Sequence, residues 1–240
     1  MKLLVLAGGF GTRLRSVVSD RPKALVPVGS EPLLRLQIKN WRGQGIHSFV
    51  FLLHHQAAQI IDFVKAERSS SLLDCEVECL IEASPLGTGG SVANAIRTLN
   101  LHHDFLLVNA DTWLSAGIQA LTDANSPSIG VIHVPDASRY GSVKLNARSQ
   151  VTNFQEKSIL SEPGLINAGI AKLSPSQFED WDGHAFSLER DLYPKLVAQR
   201  LLMGVALRGK FTDIGIPEDH TQFCAWVATN TLDKVSHDEN

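Results

Sequence analysis

Short apolar runs alternate with longer segments in which apolar positions recur every three or four residues, and that rhythm organises most of the chain. Lys2–Ala7, Ser48–Leu53, Glu76–Ile81, Phe105–Asn109 and Ser128–Val134 read as strands. Between them, Glu31–Arg42 puts Leu34, Ile38 and Trp41 on one helical face, with Gly43 placed to stop it. Gln56–Glu67 carries Ala57, Ile60, Ile61 and Val64 at the i, i+3, i+4, i+7 spacing of an amphipathic helix, and Gly90–Leu99 reads as a third helix. Such alternation predicts an α/β fold: a mostly parallel sheet with helices on both faces.

Past Val134 the pattern changes. Gly141–Leu145 and Val151–Phe154 flank a polar turn and predict a hairpin, and Leu165–Leu173 and Leu201–Leu207 predict further strands. Pro194 interrupts the helical signal of Ser187–Gln199 and is expected to open a second short helix. Pro217–Val227 reads as a closing helix, and the polar residues 229–240 are expected to fray. No linker or repeat divides the chain. It is read as one domain with an N-terminal half over about 1–135 and a more antiparallel half over about 136–228.

Composition narrows the function. The chain has 240 residues, 44% hydrophobic and 20% charged, enough for a sizeable core. Its 22 Lys+Arg against 25 Asp+Glu leave a net charge of −3, so no strongly basic surface for nucleic acid is expected. The apolar start LLVLA is cut short by Gly8 and Gly9, far below the roughly 20 residues of a membrane span, and lacks a signal-peptide layout. Cys75, Cys79 and Cys224 form an odd set without a metal-type second pair; the C-x3-C spacing in DCEVECLIE reads as a same-face buried pair. A reduced, cytoplasmic setting is expected.

The candidate chemistry begins in LAGGFGTRL, residues 6–14. Gly8, Gly9 and Gly11 permit tight turns that aim amide N–H groups at anionic oxygens, and Arg13 adds a planar cationic fork suited to phosphate. The segment is neither a P-loop, because Thr12-Arg13 replaces Lys-Ser/Thr, nor a dinucleotide fingerprint, because Leu14 stands where the last glycine is needed. A dehydrogenase is therefore disfavoured. Arg21-Pro22-Lys23 brings a second cation. SPLGTGGS, residues 84–91, opens a helix whose first N–H groups are expected to face a base edge or a phosphate. Asp111, ending LLVNAD, is either a Mg²⁺ ligand or the N-cap of a following helix, and Asp213 in KFTDIGIP is the second carboxylate a metal site needs.

LAGGFGTRL, RPKALVPV, EASPLGTGGS, NADT, YGSV, NFQEK, INAGI and FTDIGIP occur in this order over nearly the whole chain. In that combination the sequence resembles the sugar-1-phosphate nucleotidyltransferases. Through GTRLRSVVSDRPK, PLGTGGS and DIGIPED it is most similar to the D-glycero-α-D-manno-heptose 1-phosphate guanylyltransferases, with mannose-1-phosphate guanylyltransferases and N-acetylmuramate-1-phosphate uridylyltransferases close in pattern. The resemblance implies a Rossmann-like nucleotidyltransferase fold and Mg²⁺-dependent transfer of a nucleoside monophosphate from an NTP to a sugar 1-phosphate. It places Leu6, Ala7, Gly8, Gly9, Gly11, Thr12 and Arg13 around the nucleotide, with Glu82 and Gly87 near the base. Arg13, Lys23 and Asp111 are the implied catalytic residues, and Asp111 and Asp213 the implied metal ligands. Gly141, Glu156, Lys157 and Asn167 are implied to hold the sugar phosphate. Ala110 and Ala24 depart from the family's usual Gly and Pro, leaving every charge in place.

A carboxylate at Glu82 suits guanine, whose N1–H and amine are both donors, so GTP is the favoured substrate with heptose 1-phosphate. The alternatives are a uridylyl- or thymidylyltransferase acting on another sugar 1-phosphate, such as that of N-acetylmuramate, glucose or mannose, and a nucleotide-sugar-sensing regulatory subunit. No left-handed-helix repeat follows, so no added acyltransferase domain is expected. The sugar, its anomer and the oligomeric state have no signature in the sequence.

Overall fold

A computed structural model describes residues 1–10, 20–155 and 161–235, with side chains up to Asn230. The elements run β1 (Leu3–Leu6), β2 (Pro27–Val28), β3 (Glu31–Pro32), α1 (Leu33–Gly43), β4 (Ser48–Leu53), α2 (Ala57–Glu67), β5 (Glu76–Ile81), α3 (Gly87–Leu99) and β6 (Phe105–Asn109). They continue with β7 (Thr112–Leu114), α4 (Ile118–Asp123), β8 (Ser128–Val134), β9 (Ser142–Leu145), β10 (Val151–Gln155) and β11 (Gly164–Leu173). A π-helical turn (Leu188–Leu192), α5 (Tyr193–Ala198), β12 (Met203–Ala206), β13 (Phe211–Asp213) and α6 (Pro217–Val235) complete the chain.

Parallel pairing joins β5 to β4, β4 to β1 and β1 to β6. The long strand β11 runs antiparallel to β6 and to β8, and β12 pairs parallel with β8. The β9–β10 hairpin branches from β11, giving, among the described residues, nine strands in one mixed, mostly parallel sheet.

Alternation along each strand explains why both faces are covered. Leu3 and Val5, Phe49 and Phe51, and Leu106 and Val108 pack on one face with Leu34, Ile38 and Trp41 of α1 and Ile60 and Val64 of α2. Leu4, Val50, Leu52, Phe105 and Leu107 point the other way, against Val92 and Ala95 of α3 and Leu188, Leu192 and Leu196. This is the predicted α/β fold, and strands β4, β5, β6 and β8 have the predicted bounds.

Helix bounds and the short elements need correction. The first helix begins at Leu33, because Glu31 and Pro32 pair as β3 with β2. The third helix starts at Gly87, three residues early, because its glycine-rich first turn fits closely beneath the loop ending at Phe186. The closing helix runs on to Val235, so 229–235 is helical backbone rather than a frayed tail. The short elements α4, β2, β3, β7 and β13 carry too few residues for periodicity to reveal. Pro194 does sit in the first turn of α5, as expected.

A third cluster positions the site. Val26, Val28, Leu33, Ile214 and Phe223 are buried together, with Trp113 and Trp226 packed against them, so α6 clamps the β2–β3 and β7–β13 ribbons. From α1, Gln37 donates to the Thr112 carbonyl at 2.7 Å and Asn40 to the Leu114 carbonyl at 2.8 Å. These amides satisfy the free edge of β7, which is anchored by side chains instead of a neighbouring strand. All three cysteines are free and half-buried. No helix among the described residues is long and apolar enough to cross a membrane.

Candidate active site

The parallel strands β1, β4, β5 and β6 end on one rim, and a cleft of about 420 Å³ opens there, within the usual size of ligand pockets. Leu6, Ala7, Gly8, Gly9 and Phe10 supply one side from the end of β1. His54 and Glu82 follow β4 and β5, Gly87, Thr88 and Ser91 belong to the first turns of α3, and Asn109, Ala110 and Asp111 end β6. Lys23, Ala24 and Gly215 close the floor, and Glu189 reaches in from the π-helical turn.

Asp111 and Asp213 come together through the β7–β13 ribbon. Asp213 pairs in register with Thr112, and the Ile214 N–H donates to the Asp111 carbonyl at 2.9 Å. Lys23 Nζ donates to Asp111 Oδ2 at 2.6 Å and stands 3.9 Å from Asp213 Oδ1. Arg139 adds charge behind the pair, 4.0 Å from Asp213 Oδ2 and hydrogen-bonded to Asp219 at the start of α6. That bond to Asp219 raises the Arg139 pKa above its ordinary value against the opposing effect of burial. Burial likewise pushes the Tyr140 phenol up, Arg139 pulls it down, and Asp213 and Asp219 reinforce the rise. The N-cap alternative for Asp111 falls away, because β7, not a helix, follows it.

Glu82 is buried where β5 meets α3. Its Oε2 accepts the Leu86 N–H at 3.1 Å, its Oε1 accepts the Ser91 hydroxyl, and its carbonyl oxygen lies 3.2 Å from His54 Nδ1. Gly87 also lines the cleft. The N–H groups opening α3, expected to face a ligand, are partly spent: the Gly89 and Gly90 amides donate to the Phe186 carbonyl at 3.0 and 3.4 Å. Glycine makes this approach possible, since a Cβ on Gly89 would lie 2.2 Å from the Phe186 ring and one on Gly87, at φ +72°, 2.5 Å from the Phe186 oxygen.

The other implied contacts divide. Gly141 and Asn167 meet, with the Asn167 N–H donating to the Gly141 carbonyl at 2.9 Å, but neither lines the cleft. Gly11, Thr12, Arg13, Glu156 and Lys157 lie outside the described residues. Sequence reasoning missed Phe10, His54, Thr88, Ser91 and Glu189 as cleft residues. Thr88 and Ser91 were within reach, being hydroxyls three apart at a helix start; Glu189 had no signal.

Comparison with known proteins is consistent with this geometry. The nucleotidyl transferase family model matches residues 2–225. D-glycero-alpha-D-manno-heptose 1-phosphate guanylyltransferase of Campylobacter jejuni is 30% identical over 228 residues, covering 93% of this chain and 98% of that protein. Mannose-1-phosphate guanylyltransferase 1 of Arabidopsis thaliana is 32% identical over 92% of this chain, which spans only 63% of that relative's length. The crystal structure of HddC from Yersinia pseudotuberculosis complexed with GMP-PN superposes with a TM-score of 0.79 at 32% identity, covering 94% of this chain and 99% of that one. A putative glucose-1-phosphate thymidylyltransferase from Bacillus anthracis shares the fold at 16% identity and a TM-score of 0.81.

Proposed function

The chain belongs to the nucleotidyl transferase family, and we propose that it transfers GMP from GTP to a sugar 1-phosphate, heptose 1-phosphate foremost, with release of pyrophosphate. The observation that carries this reading is the grouping of Lys23 and Asp111, which line the rim cleft, with Asp213 beside them. The similarity to heptose and mannose 1-phosphate guanylyltransferases supports the substrate class.

A sugar phosphate with a second pKa of roughly 6 is largely a dianion near neutrality and attacks without a general base. The barrier is the meeting of two anions, so the site must align them and spread the charge that develops. Lys23 is well placed to spread it, since its ammonium can pass from Asp111 to an oxygen of the reacting phosphate. Arg13 and Lys157 are assigned supporting roles, Gly8, Gly9, Gly11 and Thr12 the wrapping of the triphosphate, and Leu6 and Ala7 the wall beside the nucleoside. Gly141, Glu156 and Asn167 are assigned to the sugar phosphate, and Gly87 to the base with Glu82. Each Glu82 oxygen accepts one bond within the protein and keeps a lone pair for one of guanine's two donors.

Asp111 and Asp213 fit a divalent cation: both offer hard oxygens, and they already gather one cation, the Lys23 ammonium. Mg²⁺ bound there would neutralise charge on phosphate oxygens. Arg139 keeps Asp213 in place from behind. The proposal includes a single domain, with nucleotide held mainly by residues up to about 135 and sugar phosphate by those beyond, and a cytoplasmic setting that suits the free thiols.

Pyrophosphate release tests the proposal directly. The purified chain, Mg²⁺ and each of four NTPs are offered heptose 1-phosphate and mannose 1-phosphate. GTP with heptose 1-phosphate should turn over fastest. A clear preference for UTP or dTTP overturns the base assignment, and GTP binding without pyrophosphate from any pair identifies a sensor instead.

A further inference from the structure

The cleft wall holds a second carboxylate that the transfer of GMP does not employ. Glu189 lines the cleft together with Thr88 and Ser91 of α3. Those hydroxyls stand at i and i+3, on one helix face about 4.5 Å apart along the axis. Each is paired with a carboxylate from a different element: Ser91 donates to Glu82, and Thr88 Oγ1 donates to Glu189 Oε2 at 2.9 Å.

Glu189 is held firmly by one oxygen. Oε2 also accepts the Ser187 hydroxyl at 3.0 Å, while Thr88 Oγ1 accepts the Leu188 N–H at 2.9 Å and Ser187 Oγ accepts the Glu189 N–H at 3.2 Å. Oε1 has no hydrogen bond, and Glu189 no ion pair, among the described residues. A carboxylate repels the phosphates this cleft would hold, so its free oxygen suits a neutral donor. With the base donors matched to Glu82, the donors remaining on the two substrates are sugar hydroxyls, and those set directly on a ring have fixed directions that one held oxygen can match.

We propose that Glu189 is a specificity residue whose Oε1 accepts a hydrogen bond from a ring hydroxyl of a bound substrate, with Thr88 and Ser187 holding it in position. The inference rests on the transferase reading. Its chemistry is shared by the ribose of the nucleotide and the pyranose of the sugar phosphate, and the test separates them. A site matched to a hydroxyl rejects an analogue lacking it, because the acceptor is left unpaired.

The experiment measures kcat/KM by pyrophosphate release for the full chain, Glu189→Gln and Glu189→Asp. One arm compares GTP with 2′-deoxy- and 3′-deoxy-GTP at fixed mannose 1-phosphate. The other compares mannose 1-phosphate with its 2-, 3- and 4-deoxy analogues at fixed GTP. Glutamine keeps an oxygen acceptor for Thr88 and Ser187 while replacing Oε1 with a donor; aspartate withdraws the carboxylate by one methylene. The wild type should disfavour one analogue by about tenfold or more, and both variants should shrink that ratio to within about threefold, leaving the other ratios unchanged. Loss in the nucleotide arm assigns the ribose, and loss in the sugar arm assigns the pyranose. Unchanged ratios at every hydroxyl, with activity falling equally for all substrates, overturn the proposal and leave Glu189 as a tie between the turn and α3. Should the wild type release no pyrophosphate, the transferase reading fails by itself. Thermal shifts with the same intact and deoxy compounds, compared across the three proteins, then decide Glu189 separately.

Discussion

Lys23 Nζ donates to Asp111 Oδ2 at 2.6 Å across 88 positions of sequence, and the same ammonium lies 3.9 Å from Asp213. The lysine therefore occupies the space between two carboxylates that a divalent cation would claim, and cation and lysine compete. Lys23→Met should lower kcat/KM by about two orders of magnitude or more. Without nucleotide, its melting temperature should nonetheless rise more with added Mg²⁺ than that of the wild type, because the competing ammonium is gone. Equal Mg²⁺-induced shifts in the two proteins would refute a shared site.

Asp219 acts on that site from a distance. It holds Arg139, which stands 4.0 Å from Asp213. Asp219→Ala frees the guanidinium and should weaken Mg²⁺ affinity about tenfold, the usual cost of losing a support behind a metal ligand. Titration calorimetry checks it, and an affinity equal to the wild type's would show that Asp213 needs no brace.

The first turn of α3 tolerates no side chain at Gly89, where a Cβ would sit 2.2 Å from the Phe186 ring. Gly89→Ala should destabilise the fold by about 1–3 kcal/mol through overpacking and raise KM for the nucleotide as the wall shifts. Urea unfolding reads the first effect and steady-state kinetics the second.

Glu82 bears on base choice. Glu82→Gln keeps an acceptor for the Leu86 N–H or for Ser91 but presents an amide to the base. The GTP-over-UTP preference should fall by about tenfold, since a donor facing a donor leaves both unpaired. A preference that survives the substitution would move base selection elsewhere.

Stability should depend on pH through Glu67, buried at the end of α2. Burial acts to raise its pKa, but hydrogen bonds from Arg35, Ser71 and Ser70 prevail and hold the carboxyl below its ordinary value. With the folded value below the unfolded one, the stabilisation is complete above the ordinary glutamate pKa of about 4.3 and is lost as pH falls through the lower folded value. The urea midpoint of wild type minus that of Glu67→Gln should therefore narrow from pH 7 to about pH 3.

Much of the rim was legible locally. Gly8, Gly9, Glu82, Gly87 and Asp111 sit just past strand ends or at a helix start, and strand ends can be read from where apolar runs stop. Glu189 was not legible, because its turn reaches the cleft by contacts with α3 about a hundred positions away, such as the Thr88 hydroxyl 101 positions distant. The glycines opening α3 suggest amides free for a ligand, but the Phe186 carbonyl takes two of them; glycines show that something approaches closely, but not what.

From the sequence alone came the two-faced sheet, the bounds of β4, β5, β6 and β8, and the residue types that can handle phosphate. These follow from short-range periodicity and side-chain chemistry, which need no knowledge of neighbours. Tertiary structure alone decided that Asp111, Asp213 and Lys23 meet. That meeting depends on β7 pairing with β13 and on Gln37 and Asn40 of α1 holding the outer edge of β7. Two three-residue strands have no period to detect, and their partners are chosen by how the whole chain packs.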